Sequence, residues 1–274
     1  MRLTTKIVFG IILSIFFISL TFIVGFSFSD RKNYSFMSNI QAIELPQDNV
    51  TGIELGAFKT IIIDEIPYEG SHYYIQNNYG SINFDSIPEK GKPDMLFVPE
   101  SLKDFVVINT SNDTLTIKLN MPELEKKYKS DDHKETDISG MNMYISAAKT
   151  DIINRLRLSV NIKNIETDSI KIISNGSIFI DSCKAQFIAP VLKSNHEKFN
   201  LTNCNVKRIN LDCDHVRNWN IENSNIEEKH ITGSGNHNIT LHRNESGKIK
   251  WFPKNDKAEL NIKIPGDTTE IIIQ

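Results

Sequence analysis

The amino-acid sequence predicts an all-β chain, wound as a single-stranded β-solenoid of about six coils and preceded by an apolar N-terminal helix. Three observations lead to this prediction: an apolar pair recurring about every 20 residues, a second short strand midway between pairs, and an uncharged N-terminal segment. Both members of a pair point to the same face of a strand. The pairs are Leu158 and Val160, Ile178 and Ile180, Phe199 and Leu201, Trp219 and Ile221, Ile239 and Leu241, and Leu260 and Ile262.

A second strand is predicted in each repeat, about halfway between one pair and the next. Corners rich in Asn, Asp, Ser and Gly separate the strands, and these residues tolerate turn conformations. Stacked coils would each bury the apolar face of the coil before. A β-sandwich also places strands at short intervals, but the constant phase of the pairs favours the solenoid. The predicted second strands are 170–172, 187–192, 209–211, 230–231, 249–251 and 271–273.

The N-terminal segment carries the next strong signal. No charge lies between Lys6 and Asp30, and the apolar run from Ile7 through Phe16 to Phe26 is about as long as a bilayer-spanning helix. We predict a signal-anchor helix with its N-terminus in the cytoplasm and the rest of the chain outside. The alternative is a secretory signal peptide, whose cleavage would release the protein.

Composition limits the classes of partner. The 274 residues allow one or two domains. The formal net charge is −3 with both signs interspersed, which argues against a nucleic-acid partner, because binding phosphates needs clustered Lys and Arg. Asp131, Asp132 and His133 could hold a metal, but they lie in a dense charge run that is typical of a solvated loop.

The chain divides into five stretches on these grounds. The strand-rich stretch before the charged loop contains Asn112 and Asp113, which are typical of a hairpin turn. The predicted stretches are a signal-anchor helix at 1–29, a stalk at 30–52, a β-rich part at 53–122, a charged loop at 123–142 and the solenoid at 143–274.

The three cysteines fit an exported chain that is not rich in disulfides. Cys183 and Cys204 follow their apolar pairs at the same offset, and Ser224 holds that place in the next coil. Parallel stacking would bring the two cysteine α-carbons to about 5 Å, which suits a disulfide. The alternative is a ladder of small buried thiols. Cys213 has no evident partner.

The order of these elements resembles the auto-transporter adhesin head GIN domain family of Bacteroidetes envelope proteins. The resemblance covers roughly residues 53–274 and is carried by the strands 58–63 and 73–76, the segment 112–117 and the Gly-Ser-Gly corner at 233–235. It implies an exported, right-handed β-solenoid without an established enzymatic activity. That family usually repeats Ser-Gly pairs at many corners, whereas this chain has one clear example.

The best candidate for chemistry is a polar cluster at two corners. It comprises Asp212, Asp214 and His215, with His196 and Glu197 one coil earlier. Two histidines with carboxylates can bind a transition metal, and polysaccharide-active β-helices need clustered carboxylates. Solenoid corners are commonly dense in polar residues, however, so we predict no catalytic, metal or cofactor site and no enzyme activity.

Aromatic residues offer a second candidate site. Tyr73, Tyr74, Trp219, Trp251 and Phe252 could form a platform that binds sugar or protein. Of these, Trp219 occupies the inward phase of the repeat, which favours a place in the core.

We therefore predict a non-enzymatic, membrane-anchored, adhesion-like binding module in the bacterial cell envelope, with a protein or glycan ligand along the solenoid wall. The alternatives are an envelope scaffold or stress-sensor partner and, less favoured, a polysaccharide-active enzyme. The apolar last strand, 270–274, offers an edge for self-association.

Overall fold

A computed structural model gives the structure of the protein and describes residues 40–46, 49–66, 75–85, 94–128, 135–146, 151–240 and 247–263. These residues are mostly in β-strands, with two short helices. In chain order the elements are β1 (Ile40–Glu44), β2 (Val50–Glu54), β3 (Thr60–Ile66), β4 (Ile75–Asp85), β5 (Met95–Pro99), α1 (Glu100–Lys103), β6 (Val106–Ser111), β7 (Thr114–Asn120), α2 (Met121–Tyr128), β8 (Glu135–Ser146), β9 (Asp151–Asn154), β10 (Ser159–Lys163), β11 (Glu166–Ser174), β12 (Ile178–Asp181), β13 (Lys184–Leu192), β14 (Phe199–Thr202), β15 (Asn205–Asp212), β16 (Trp219–Glu222), β17 (Asn225–Gly233), β18 (Asn236–Thr240), β19 (Lys248–Pro253) and β20 (Glu259–Lys263).

Two nine-stranded sheets contain nearly all of these strands. Sheet A has the order β16-β14-β12-β10-β4-β8-β5-β2, with β1 also paired to β8, and sheet B has the order β19-β17-β15-β13-β11-β9-β3-β7-β6. From β9 to β17 the chain alternates between the two sheets, and each strand from β11 onward pairs in parallel with the strand two before it. The predicted all-β class is confirmed, and its sheets are mainly parallel.

The apolar pairs form inward-facing ladders in sheet A. Three predicted pairs are aligned in register. Phe199 lies opposite Ile178 on one side and Trp219 on the other, and Leu201 lies likewise between Ile180 and Ile221. The first pair is displaced by two residues: Val160, rather than Leu158, lies opposite Ile178. A shift of two leaves the same face of a strand inward, and Leu158 is still fully buried in the corner before β10.

The strands before residue 122 extend the same two sheets. Strand β4 pairs in parallel with β10, and β3 pairs in parallel with β9. One continuous hydrophobic core runs from Leu45 to Ile226 beneath both sheets. At the far end, β6 and β7 form the predicted hairpin, with Asn112 and Asp113 at φ values of 50° and 60°. Asn and Asp are the residues that tolerate this left-handed conformation.

The predicted charged loop at 123–142 differs from the structure. Helix α2 occupies its start and buries Leu124, and β8 occupies its end and buries Ile138 and Met141. A few apolar side chains are enough to seat these elements against the core, although charged neighbours dominate the local composition. The cluster Asp131, Asp132 and His133 lies outside the described residues.

The membrane prediction lies outside the described residues, as do Tyr73, Tyr74 and the terminal strand 271–273. Among the residues that the structure describes, none of the helices has both the length and the apolar character of a bilayer span. The predicted helix through Ile7, Phe16 and Phe26 is not among them.

The corners between the sheets are of two kinds. The four corners that lead from β10, β12, β14 and β16 into sheet B are uniform, with two residues each, the first of them polar and left-handed and the second buried. The left-handed residues are Asn164, Ser182, Asn203 and Asn223, with φ values of 54°, 55°, 54° and 49°. Corners that lead back to the sheet A side differ in length: they are 155–158, 175–177, 193–198, 213–218, 234–235 and 254–258.

Candidate functional site: a cleft where sheet A ends

Sheet A ends at β16, although the repeat in the sequence continues. Ile239 in β18 follows Trp219 by the same step of 20 residues by which Trp219 follows Phe199. Strand β18 nevertheless pairs with β20 in a separate two-stranded sheet, where Ile239 lies opposite Ile262 rather than the predicted Leu260. In sheet B the same coils stay paired, since β17 joins both β15 and β19. The predicted continuous stack is therefore wrong at this step.

Corner length changes at the break. The corners before β14 and β16 both have six residues, 193–198 and 213–218, and these two strands pair. The corner before β18 has two residues, 234–235. A difference in length is not enough by itself to prevent pairing, because β12, which follows the three-residue corner 175–177, pairs with β14 in register.

The hydrophobic core also divides at this break. A second cluster forms around Cys213, Ile231, Ile239 and Ile249, separate from the main core. Trp219 packs against both clusters and is half-buried. The predicted inward phase of Trp219 is therefore confirmed, but the missing neighbour strand leaves part of its side chain open.

A cleft of about 430 Å³ opens beside Trp219, between the corner 213–218 and the segment 234–239. Its lining combines apolar side chains with a set of polar ones. The apolar residues are Cys213, Val216, Trp219 and Ile239, and the polar side chains belong to Asp214, Arg217, Ser234, Asn236, His237 and Asn238.

An ion cluster holds the polar side of the cleft together. Lys254 Nζ donates to both carboxylate oxygens of Asp212 at 2.7 Å and to Asp214 Oδ2 at 2.8 Å. Asp214 Oδ1 accepts from the backbone N–H of Ser234 at 3.0 Å and from its hydroxyl at 2.9 Å. These contacts tie three successive corners to one another.

The same contacts set the charge of the cluster. Burial disfavours the ionised form of Asp214, but the bonds from Lys254 and Ser234 outweigh it and lower the pKa of this carboxyl. Burial likewise opposes the charge on Lys254, and the two aspartates outweigh it and raise the pKa of its ammonium group. Both groups are therefore charged at neutral pH and satisfy each other.

His237 forms the opposite wall. Its ring lies against Gly233, where an added Cβ would be 2.5 Å from Nε2, and edge-on to Trp251 with a centroid distance of 6.4 Å. Nε2 is 3.2 Å from Asp214 Oδ1 and 3.3 Å from the backbone nitrogen of Gly235. A protonated Nε2 donates to Asp214, and an unprotonated one accepts from Gly235. In either tautomer, a hydrogen bond at Nε2 fixes the orientation of the His237 ring.

The structure brings together only part of the predicted polar cluster. Asp212 and Asp214 share Lys254, and His215 Nε2 is 3.9 Å from an oxygen of Asp212. Glu197 instead accepts from the hydroxyl of Ser177 at 2.5 Å, while His196 is exposed. Within the described ranges, no three His, Cys, Asp or Glu side chains are placed to hold a metal ion.

The prediction missed Ser234 and Lys254, although the repeat contained a signal for them. Asp214, Ser234 and Lys254 are separated by steps of 20 residues, so a repeat of that length places them at equivalent corners of successive coils. Corner composition alone could not reveal that the three side chains bond to one another.

The other predicted pair, Cys183 and Cys204, lies at two adjacent uniform corners with free thiols. Cys204 Sγ accepts from the backbone N–H of Cys183 at 3.3 Å, and Ser224 Oγ accepts from the N–H of Cys204 at 3.0 Å. The bond with Cys183 and burial raise the pKa of the Cys204 thiol. Burial raises the pKa of Cys213, beside the cleft, to about 12. A disulfide between Cys183 and Cys204 stays a prediction.

Comparisons with known proteins give low-identity structural likenesses. A "putative adhesin" from Bacteroides fragilis is 16% identical with a TM-score of 0.49, over 84% of this chain and 99% of that one. A "putative lipid binding protein" from Parabacteroides distasonis is 13% identical with a TM-score of 0.39, over 85% and 100%. A "putative adhesin" from Parabacteroides merdae is 12% identical with a TM-score of 0.34, over 85% and 98%. No family model matches the chain, and no curated protein matches it.

Proposed function

We propose that this chain is an exported, non-enzymatic binding module of the bacterial cell envelope that takes up its ligand in the cleft beside Trp219. The observation that carries the proposal is the cleft itself, where polar side chains on a β framework surround a half-buried tryptophan. Ligand sites are typically concave, with an apolar floor and a few polar groups that fix orientation.

The state of the titratable groups supports binding over catalysis. A general acid or base needs a proton that it can exchange near neutral pH. Asp214 and Lys254 hold each other charged, and the Cys213 thiol is held protonated with a pKa of about 12. In this proposal Asp214 and Lys254 therefore serve as a brace between corners rather than as an acid or a base.

We further propose that the alternating strands wind as a single-stranded, right-handed β-solenoid and that the chain is a member of the head GIN domain family. The parallel pairing of β10 through β17 at steps of about 20 residues supports the solenoid. The strand order and the Asn112-Asp113 hairpin support the family. In this proposal the segment through Ile7, Phe16 and Phe26 anchors the module in the membrane.

Binding in the cleft is tested with the full chain in detergent. The melting temperature is measured with separated small-molecule, glycan and peptide fractions of envelope extracts, because a ligand that binds only the folded state raises it. The protein and a control with Arg157→Gln and Asn109→Leu should be stabilised by the same fraction. A variant with Arg217→Gln and Asn238→Leu should lose this effect. Equal stabilisation of all three proteins would place binding elsewhere.

Anchoring is tested by the intact mass of the native protein from membrane and soluble fractions. Retention of residues 1–29 in the membrane fraction supports the anchor, and a shortened soluble form supports the signal-peptide alternative. The same spectra report the cysteines: after denaturation and alkylation, a Cys183–Cys204 disulfide leaves these two cysteines unmodified, whereas alkylation of all three cysteines supports the alternative of buried thiols.

A further inference from the structure

The cleft contains two sets of polar side chains that differ in their partners. Asp214, Ser234 and His237 bond to one another or to Lys254, as described above. The exposed side chains of Arg217, Asn236 and Asn238, in contrast, make no hydrogen bond or ion pair with any residue that the structure describes. With respect to the described part of the chain, the second set is therefore available to bond to a ligand.

The charges in and around the cleft balance. Asp212 and Asp214 share Lys254, so this ion cluster carries a net charge of −1, and the Arg217 guanidinium in the described lining brings the sum to zero. An anionic ligand would be attracted by Arg217 and repelled by Asp214. A cationic ligand would be attracted by Asp214 and repelled by Arg217. The balance therefore favours a ligand that is polar and carries no net charge.

The free groups match a ligand dense in hydroxyls. Each amide of Asn236 and Asn238 offers two N–H donors and an acceptor oxygen, and Arg217 offers donors in a planar fork. A hydroxyl group both donates and accepts, so it pairs with either end of an amide. A peptide that added as a strand would instead bond to backbone groups of β16 or β18, which both contribute to the lining, so a peptide is included among the probes below.

The half-buried Trp219 supplies the complementary apolar surface. One face of a sugar ring carries mainly C–H groups, and aromatic rings pack well against such surfaces while polar neighbours bond to the rim. A cleft of about 430 Å³ lies within the range of small-ligand sites. It is about the size needed for one or two sugar rings.

We propose that this cleft binds a neutral sugar ring of a glycan, with Trp219 against its C–H face and Arg217, Asn236 and Asn238 bonded to its hydroxyls. The inference rests on the proposed function, because it names the ligand class of the same cleft. The ion cluster of Asp212, Asp214 and Lys254 keeps the walls in position and does not itself need to contact the sugar.

The test uses the fluorescence of Trp219. The chain has two tryptophans, so Trp251→Phe in the full chain leaves Trp219 as the reporter. The probes are glucose, galactose, mannose, N-acetylglucosamine, lactose and cellobiose, with glucuronic acid as a charged comparison and a short uncharged Val-Thr peptide as a second class. We expect a saturable change with at least one neutral sugar. Calorimetry on the unmodified chain repeats the measurement, in case Trp251→Phe disturbs the fold.

Matched variants show where the sugar binds. Arg217→Gln and Asn238→Leu, both at exposed positions, should each weaken sugar binding about tenfold. Arg157→Gln and Asn109→Leu, exposed residues of the same types away from the cleft, should leave it unchanged. No binding by any neutral sugar, or equal binding by all four variants, would overturn the proposal. If only the peptide or glucuronic acid binds and depends on Arg217 and Asn238, the sugar assignment fails and the proposed binding function stands.

Discussion

The stack from β10 to β16 and the part that follows it share one sequence repeat but not one architecture. In the first part, successive strands of sheet A and of sheet B are paired in parallel. In the second, sheet B continues through β19 while β18 leaves sheet A and pairs with β20. The apolar pattern sets which side chains face inward in both parts, although Leu260 and Ile262 in the second part are only partly buried.

The corners also differ between the two parts. Uniform two-residue corners lead from β10, β12, β14 and β16 into sheet B, and their left-handed polar residues form a repeated turn. On the other side, a six-residue corner precedes β16 and a two-residue corner precedes β18, and the cleft lies between these two corners. The binding site we propose thus comes from an irregular corner in a regular repeat.

The largest difference should appear when a core side chain is removed from each part. Leu201→Ala deletes a fully buried side chain between two paired neighbours and should cost about 3–5 kcal/mol of unfolding free energy. Ile239→Ala, beside the cleft, should cost about 2 kcal/mol, because its environment can relax more easily. Urea unfolding measures both, and a larger loss for Ile239→Ala would contradict the comparison.

Glycine substitutions test corner packing. A Cβ at Gly176 would lie 2.1 Å from the carbonyl oxygen of Leu158, so Gly176→Ala should destabilise the stack by about 2–3 kcal/mol. At Gly235, beside the cleft, the nearest atom would be 4.0 Å away, in His237. Gly235→Ala should therefore change the unfolding free energy by less than about 0.5 kcal/mol. Thermal unfolding of the pair checks this, and equal losses would show that the cleft corner is as tightly packed.

The ladder of Cys183, Cys204 and Ser224 gives a smaller effect. Ser224→Ala leaves the buried N–H of Cys204 without its acceptor and should cost about 1–2 kcal/mol. Cys204→Ser should be nearly neutral under reducing conditions, because a hydroxyl can make the same two bonds that Ser224 makes. Chemical unfolding with reductant measures both variants. A large loss for Cys204→Ser would mean that the thiol is needed for its volume or its chemistry.

The ion cluster beside the cleft should have the smallest effect, and one that depends on pH. The pKa of Asp214 is lowered in the folded state, so its stabilisation is present above its ordinary pKa of about 3.8 and is lost as the pH falls below it. The pKa of Lys254 is raised, so its contribution is lost only as the pH rises above about 10.5.

Asp214→Asn should therefore cost about 0.5–1 kcal/mol at pH 7, as expected for a partly exposed ion pair, and much less at pH 2. Unfolding free energies of both proteins across this range provide the measurement, with Asp104→Asn as a control at an exposed residue away from the cleft. A penalty that does not shrink in acid would mean that Asp214 acts through packing or through its bonds to Ser234 rather than through its charge.

Local chemistry was sufficient for much of the fold. Four features depend on residues that are close in the sequence. They are the inward ladders through Phe199 and Trp219, the second strands in sheet B, the polar corners, and the hairpin at Asn112 and Asp113. A strand shows a period of two and a left-handed turn selects Asn, Asp, Ser or Gly, so neighbouring residues suffice to predict both.

The sequence by itself determined the all-β class, the repeat and the face of each strand that is buried. The tertiary structure decided which strands pair, because pairing depends on where a corner returns the chain, and corner length varies independently of the apolar repeat. It also seated α2 and β8 within the predicted charged loop and joined Asp214, Ser234 and Lys254 from three coils. These contacts link residues that are 20 or 40 positions apart in the sequence. At that separation, only the folded chain determines which side chains come into contact.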